Sequence, residues 1–206
     1  MVIGLLALTA IPTVTGVAEG VAQQRRVNEE KTEAKQMAKF NIDIFCEENS
    51  GKAKYLDGKR VVLRDQKVYI DSRDESARSI PSFTALAFYI HYPDEDREPT
   101  LGLVSMSSNN PPTMNWIYVD KNTLELKYGN RTQSIEHIVG PWDWTDDQKG
   151  VMLEKWEGFS AVEEEDAVWA LYYDRKDNGL KGVVDPGKTV AQISLERTLI
   201  EEPEAT

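Results

Sequence analysis

The sequence predicts a mainly β protein: an antiparallel sandwich or barrel of about ten short strands, preceded by an N-terminal helix. Three observations predict it. The hydrophobic spacing changes at Phe40 from helical to strictly alternating, with Phe40, Ile42 and Ile44 on one side of a strand. Clusters of Gly, Pro, Asn, Asp and Ser then interrupt the chain at short intervals. After Lys39 no stretch carries an apolar stripe at helical spacing, so no further helix is expected.

The elements follow in order. Residues 1–22 are apolar and carry no charged side chain before Glu19. Val2 to Ala18 approaches the lower limit for a membrane span, about 17 residues. Three readings are open: an uncleaved anchor or membrane-surface segment, a secretory signal with Gly20-Val21-Ala22 as the cleavage site, and a helix docked on a protein. Arg25 and Arg26 directly follow the segment, and no basic side chain precedes it. An anchor of that polarity leaves the following domain in the cytosol. Gly16 and Gly20, offset against Ala18 and Ala22, set small residues four apart, a spacing that lets helix backbones approach closely. Pro12 suits a first helical turn.

Residues 23–39 are rich in Glu, Lys, Gln and Ala, without Gly or Pro, and predict a solvated helical stalk. Residues 40–200 form the β-domain. Arg60–Arg64 and Lys67–Asp71 read as a hairpin about Asp65-Gln66, although that turn lacks the favoured Gly. Phe83 to Tyr92 reads as one central strand and Leu101 to Met106 as its return. Ser107 to Thr113 reads as a loop, because Pro111-Pro112 interrupts pairing. Asn115–Val119 and Leu124–Tyr128 flank Asp120–Thr123 as a second hairpin. Gly140 to Thr145 reads as irregular. Val151–Trp156, Phe159–Glu163, Val168–Asp174 and Val190–Thr198 complete the strands, and residues 201–206 form an acidic tail. No internal repeat is evident.

Composition excludes some functions. The chain of 206 residues has a formal net charge of −11 and only one cysteine. A phosphate backbone repels such a surface, so no nucleic-acid partner is expected. A single cysteine cannot form an internal disulfide, and Cys46, between Phe45 and Glu47, reads as a buried small apolar residue.

The run GLLALTAIPTVTGVAEGVAQQRR, with the later WIYVDKNTLELKYGN, GPWDWT, EGFSAVEEE and WALYYD, resembles a group of small proteins of filamentous fungi that carry an apolar N-terminal segment. The resemblance spans most of the chain and implies a fungal source. It attaches no activity and carries over no site residue.

Few residues suggest chemistry. His91 and His137 are the two histidines, and neither stands in a spacing that suits zinc. No nucleophile elbow, P-loop or dinucleotide fingerprint is present. Neither a cofactor nor a catalytic set is expected. Asp174, Asn178 and Asp185 echo a calcium loop, but Lys176 stands where an oxygen ligand belongs, and an Asn178-Gly179 turn explains the pattern. Glu163–Asp166 reads as a solvated acidic loop. Trp142-Asp143-Trp144 offers two indoles beside a carboxylate, a pattern able to bind carbohydrate; the plainer reading buries both indoles, each N–H finding a partner. Asn130-Arg131-Thr132 is a glycosylation sequon that matters if the domain is secreted.

The leading expectation is a non-catalytic binding or assembly protein, its β-domain held at a membrane or a protein partner by residues 1–22, with a homo-oligomer as one form of assembly. The alternative is a secreted or cell-surface module that binds carbohydrate through Trp142, Asp143 and Trp144.

Overall fold

The computed structural model describes residues 12–46, 51–109 and 111–200. The chain divides into two compact units, Met1–Met37 and Ala38–Thr206. In the first, α1 runs through Pro12–Met37. It is continuous across residues 23–37, as the run of Glu, Lys, Gln and Ala requires. Every side chain from Val21 to Lys35 is exposed, so over that stretch no apolar stripe is being buried and local propensity holds the helix. Gly16 and Gly20 lie within it. No helix among the described residues is long and apolar enough to cross a membrane.

The second unit is built of three groups of strands. The first holds β1 (Phe40–Phe45), β2 (Arg60–Arg64), β3 (Lys67–Asp71), β4 (Phe83–Thr84) and β5 (Leu86–His91). The second holds β6 (Leu101–Asn109), β7 (Pro112–Val119), β8 (Leu126–Gly129), a short helix α2 (Arg131–Ser134) and β9 (Trp142–Trp144). The third holds β10 (Val151–Leu153), β11 (Phe159–Glu165), β12 (Val168–Tyr173) and β13 (Val190–Leu199).

The pairings repeat from group to group. Each group has a hairpin at the corresponding place: β2–β3, β7–β8 and β11–β12. The first strand of each hairpin also meets the end of its own group, at Val62↔Thr84, Val119↔Ile138 and Val162↔Val190. The outer strands form a barrel. Ladders join β13 to β1, β1 to β5, β5 to β6 and β9 to β10. The ring closes where β6 lies against β9, and where Gly150 bridges Glu196 on β13. At one end the three hairpins converge: β3 pairs with β12 and with β8, and Glu125 bridges Tyr172.

One end device also recurs. Each hairpin ends in Tyr-x-Asp or Tyr-x-Asn: Tyr69-Ile70-Asp71, Tyr128-Gly129-Asn130 and Tyr172-Tyr173-Asp174. Each terminal carboxylate or amide oxygen accepts backbone N–H groups of the next loop. Asp71 takes Ser72, Ser79 and Ile80; Asn130 takes Gln133; Asp174 takes Asn178 and Gly179. The absence of an internal repeat expected from the sequence is therefore corrected. The repeat lies in pairing and end caps, while the rest of the side chains have diverged.

The core fills the barrel with inward residues of alternating strands, among them Phe40, Ile42, Ile44, Tyr89, Leu103, Trp142, Leu153, Phe159, Ile193 and Leu195, all nearly inaccessible. Cys46 is buried with them. The barrel reading is thus the one realised. Several element expectations change. Phe83 to Tyr92 is two strands, interrupted at Ala85. Gly140 to Thr145 contains β9 rather than irregular chain. The described parts of Ser107 to Thr113 are largely strand, with Ser108↔Thr113 and Asn109↔Pro112 paired; Pro112 is tolerated because it is the first residue of its strand. A helix does follow Lys39: Asn130 and Gln133 form a capping box on α2, a sequence signature that apolar spacing alone cannot reveal in so short an element.

Candidate functional site

The residues singled out from the sequence do not gather. Trp142 is 1% exposed, stacked with Phe159 at 6.2 Å between ring centroids. Its indole N–H has no partner, contrary to the expectation of one. Trp144 is half-buried against Tyr89, while Asp143 between them faces solvent. Alternation sends both indoles inward, as strand geometry demands, so Trp142 has no face to offer a sugar. Trp142 follows the plainer reading, as a core element. Trp144 instead borders Arg197, the last inward residue of β13. The Arg197 guanidinium lies 4.6, 4.8 and 5.3 Å from the ring centroids of Phe40, Trp144 and Tyr89.

At the calcium echo the carboxylates are engaged by backbone amides. Both carboxylate oxygens of Asp174 accept backbone amides, from Asn178 at 3.1 Å and Gly179 at 2.6 Å, and Asp185 accepts from Gly187 at 2.8 Å. These are turn caps. No group of three or more His, Cys, Asp or Glu side chains among the described residues is placed to hold a metal. Glu163 and Glu164 belong to β11 and are ion-paired with Lys52 and Lys67, so they are not a solvated loop. His91 is exposed on β5. Asn130 is exposed and caps α2.

A different set does gather, at the hairpin end of the barrel. A cavity of about 490 Å³ opens between the first hairpin turn, the second hairpin and the segment after α2. Asp65, Gln66 and Lys67 form one wall; Tyr118, Asp120, Glu125 and Lys127 form the floor; Gln133 and His137 form the other wall. The turn at Asp65-Gln66 has both residues at positive φ, 48° and 64°. Gln133 donates to Gln66 across the gap at 2.6 Å. His137 lies nearly parallel to Tyr118, 5.1 Å between centroids.

The charges are interlocked. Lys127 donates to Asp120 at 2.8 Å and sits 3.5 Å from Glu125. Lys67 donates to Glu125 at 3.2 Å and also pairs with Glu164. The Tyr172 hydroxyl donates to Glu125 at 2.9 Å. Burial pushes the carboxyls of Asp120 and Glu125 up, but their bonds and charges outweigh it. Lys127 and the Asn122 and Thr123 amides hold Asp120 below the ordinary carboxylate range; Tyr172, Lys67 and Lys127 do so for Glu125. Burial pulls both lysines down, and the same partners more than reverse it, so they stand above the usual ammonium value. Burial raises the Tyr172 hydroxyl, and the two neighbouring carboxylates raise it further, so it stays a proton donor. The cleft therefore presents fixed donors and acceptors side by side, Lys67 and Lys127 set against Asp65, Asp120 and Glu125. Sequence reasoning missed it because its residues come from three separate segments. The available signal was the recurring Tyr-x-Asp/Asn, which locates the hairpin ends.

A second cavity, of about 430 Å³, lies between Phe45, Thr145, Asp147, Lys149 and Glu157. Its Asp147 is already occupied by Thr145 and Lys149.

No curated protein and no solved structure matches the chain. Residues 16–201 match the family model of the fungal β-trefoil domain. A six-strand barrel closed at one end by three hairpins, in three pairing repeats, is a β-trefoil, and the resemblance to small fungal proteins agrees with it. The chain belongs to the fungal β-trefoil domain family.

Proposed function

We propose that this is a non-catalytic binding protein. Its β-domain takes a neutral, hydroxyl-rich ligand, carbohydrate foremost, in the cleft beneath Gln66 and Gln133. Residues 1–22 hold the domain at a membrane surface or a protein partner, with the domain on the cytosolic side. The observation that carries the reading is the cleft itself. It sets lysine donors beside carboxylate acceptors on a Tyr118 floor, and hydroxyl groups both donate and accept. Each lysine is already paired with carboxylates of the cleft, Lys67 with Glu125 and Lys127 with Asp120, which leaves no uncompensated cation there for an anionic ligand. The apolar character of residues 1–22 and the Arg25-Arg26 pair after them support the tether.

The test is an NMR titration of the isotope-labelled chain with a panel of neutral oligosaccharides. Shifts confined to Gln66, Tyr118, Lys127, Gln133 and His137 are expected. Shifts centred elsewhere, or none for any glycan, would refute the cleft. A second reading, secretion, is supported by the exposed sequon at Asn130. Intact mass of the natively produced protein separates the two: a retained Met1 or Val2 without glycan favours the tether, and a start near Gln23 with glycan favours secretion.

A further inference from the structure

The cleft wall contains a side chain whose type changes charge between about pH 5 and 8. We propose that His137 is a pH-sensitive latch: neutral, it fastens the Asp120–Leu124 turn to the segment after α2; protonated, it releases that turn. The geometry gives the mechanism. The backbone N–H of Lys121 donates to His137 Nδ1 at 3.3 Å. That bond requires a lone pair on Nδ1 and places the neutral ring's proton on Nε2. An imidazolium carries N–H at both nitrogens, so the Lys121 N–H then faces another donor and the bond is lost.

The groups around the ring determine how the turn responds to protonation. From β7 and the turn beyond it, the Tyr118 ring stacks on the imidazole and Asp120 Oδ1 stands 3.9 Å from Nδ1. From β8, Lys127 holds Asp120 Oδ2 and lies beside Glu125. From the first hairpin, Asp65 and Lys67 face the same cleft. On its own segment Glu136 is engaged with Lys121 Nζ at 3.7 Å. Asp120 is thus the nearest acceptor for an imidazolium. Its Oδ1, however, already takes the amides of Asn122 at 2.9 Å and Thr123 at 3.3 Å. Turning to His137 means loosening those amides. The turn has little reserve, because Leu124 is held at φ 56°, a conformation a branched side chain adopts at a cost. Whether the ring leaves or Asp120 moves with it, the Asp120–Leu124 turn opens on acidification, and Asp120 and Lys127 lose their fixed places on the cleft floor.

The latch rests on the binding reading only for its consequence, weaker capture of a ligand at pH 5 than at pH 7.5. The latch itself is measured without ligand. In the full chain, amide exchange of Asn122, Thr123 and Leu124, corrected for intrinsic rates, rises about fivefold or more between pH 7.5 and 5, the change that loss of one ordinary hydrogen bond gives. The midpoint coincides with the titration of the His137 Cε1 proton followed in the same sample. His137→Gln, which cannot change charge, removes the pH dependence; His91→Gln, altering the exposed histidine, keeps it. Exchange that ignores the His137 midpoint, or an equal response in His137→Gln, would overturn the latch. If the latch behaves as stated and no oligosaccharide binds at either pH, the carbohydrate reading fails and the latch stands.

Discussion

Arg197 closes the barrel at the end away from the hairpins, and its replacement separates packing from charge. Its guanidinium carbon lies within 5.3 Å of three ring centroids. A cation over one aromatic ring at a partly exposed site contributes about 0.5–1 kcal/mol. One guanidinium shared among three rings therefore contributes about 1–2 kcal/mol. Against this, Nε is buried without a partner, an arrangement that costs about 1–3 kcal/mol. Burial accordingly pulls the Arg197 pKa down. These two contributions nearly cancel. What remains is the exposed bond from Nη1 to the Gln148 carbonyl, at 3.2 Å, and the half-buried aliphatic stem, at about 0.8 kcal/mol per buried methylene. Arg197→Met keeps the stem and removes both the charge and the unpaired Nε, so its stability should fall by less than about 1 kcal/mol. Arg197→Ala exposes the rings and should lose about 2–3 kcal/mol. For a domain of this size that is a Tm decrease of roughly 4–12 °C. Urea unfolding of the two variants, monitored by tryptophan fluorescence, reads the difference. Equal destabilisation by Met and Ala would refute the reasoning, because the charge and not the stem would then hold the barrel end.

Four further outcomes are expected. Trp142→Ala should cost about 3–5 kcal/mol in thermal or urea unfolding, whereas Trp142→Phe should cost much less, since the indole N–H has no partner to lose. Lys155, exposed at φ 63° in the turn between β10 and β11, should give a more stable protein as Lys155→Gly, by about 1 kcal/mol; a lower Tm would contradict it. Asp43 is raised by burial but held below the carboxylate range by Arg60 at 2.7 Å, by Thr198 and by Arg73. A depressed folded value means stability that is present above the unfolded value, about pH 4, and lost as pH falls through the folded one. Asp43→Asn should therefore flatten the fall in Tm between pH 5 and pH 2 and lower stability at pH 7 by about 1.5–3 kcal/mol, the range for hydrogen bonds to a charged group. Asp174→Ala should lose about 1–2 kcal/mol through its two released amides, equally with and without calcium; a calcium-dependent Tm in the parent would restore the ion site.

The sequence made strands legible where burial is one-sided. Phe40-x-Ile42-x-Ile44 alternates because one face fills the barrel, and its pairing with β13 is regular over all six residues. It concealed elements fixed by caps rather than by apolar spacing. α2 is four residues long and has no room for an amphipathic period; Asn130 and Gln133 are its whole signal. β9 was hidden because Pro141 and Asp143 read as turn residues, while Trp142 and Trp144 between them are held by core partners far away in the chain. The hairpin turn without glycine shows the same limit. Asp65 and Gln66 both adopt positive φ, and the Tyr128 N–H donates to Gln66 O at 3.1 Å, a tertiary bond that the local sequence does not announce.

The cleft has a structural origin in the way the three repeats differ. In each, a Tyr-x-Asp/Asn ends the hairpin and starts a connection back to the barrel. In the first, Asp71 and the buried Arg78 side chain tie residues 72–84 down, Arg78 reaching the carbonyls of Ser72 and Ser82. In the third, Asp174 folds its loop onto itself through Asn178 and Gly179. The second alone among the described connections uses an α-helix, and α2 stands off from the first hairpin with Gln133 bridging to Gln66. That stand-off leaves the space that Tyr118, Asp120 and Lys127 line. The sequon and the calcium echo are thus two copies of one end cap, and the repeat in which the cap nucleates a helix is the one that opens a site. If so, Asn130→Ala, which removes the cap and the capping box together, should cost about 1 kcal/mol of stability while weakening any cleft ligand by more than that. A variant that loses stability but binds undiminished would separate the helix from the site and sink the argument.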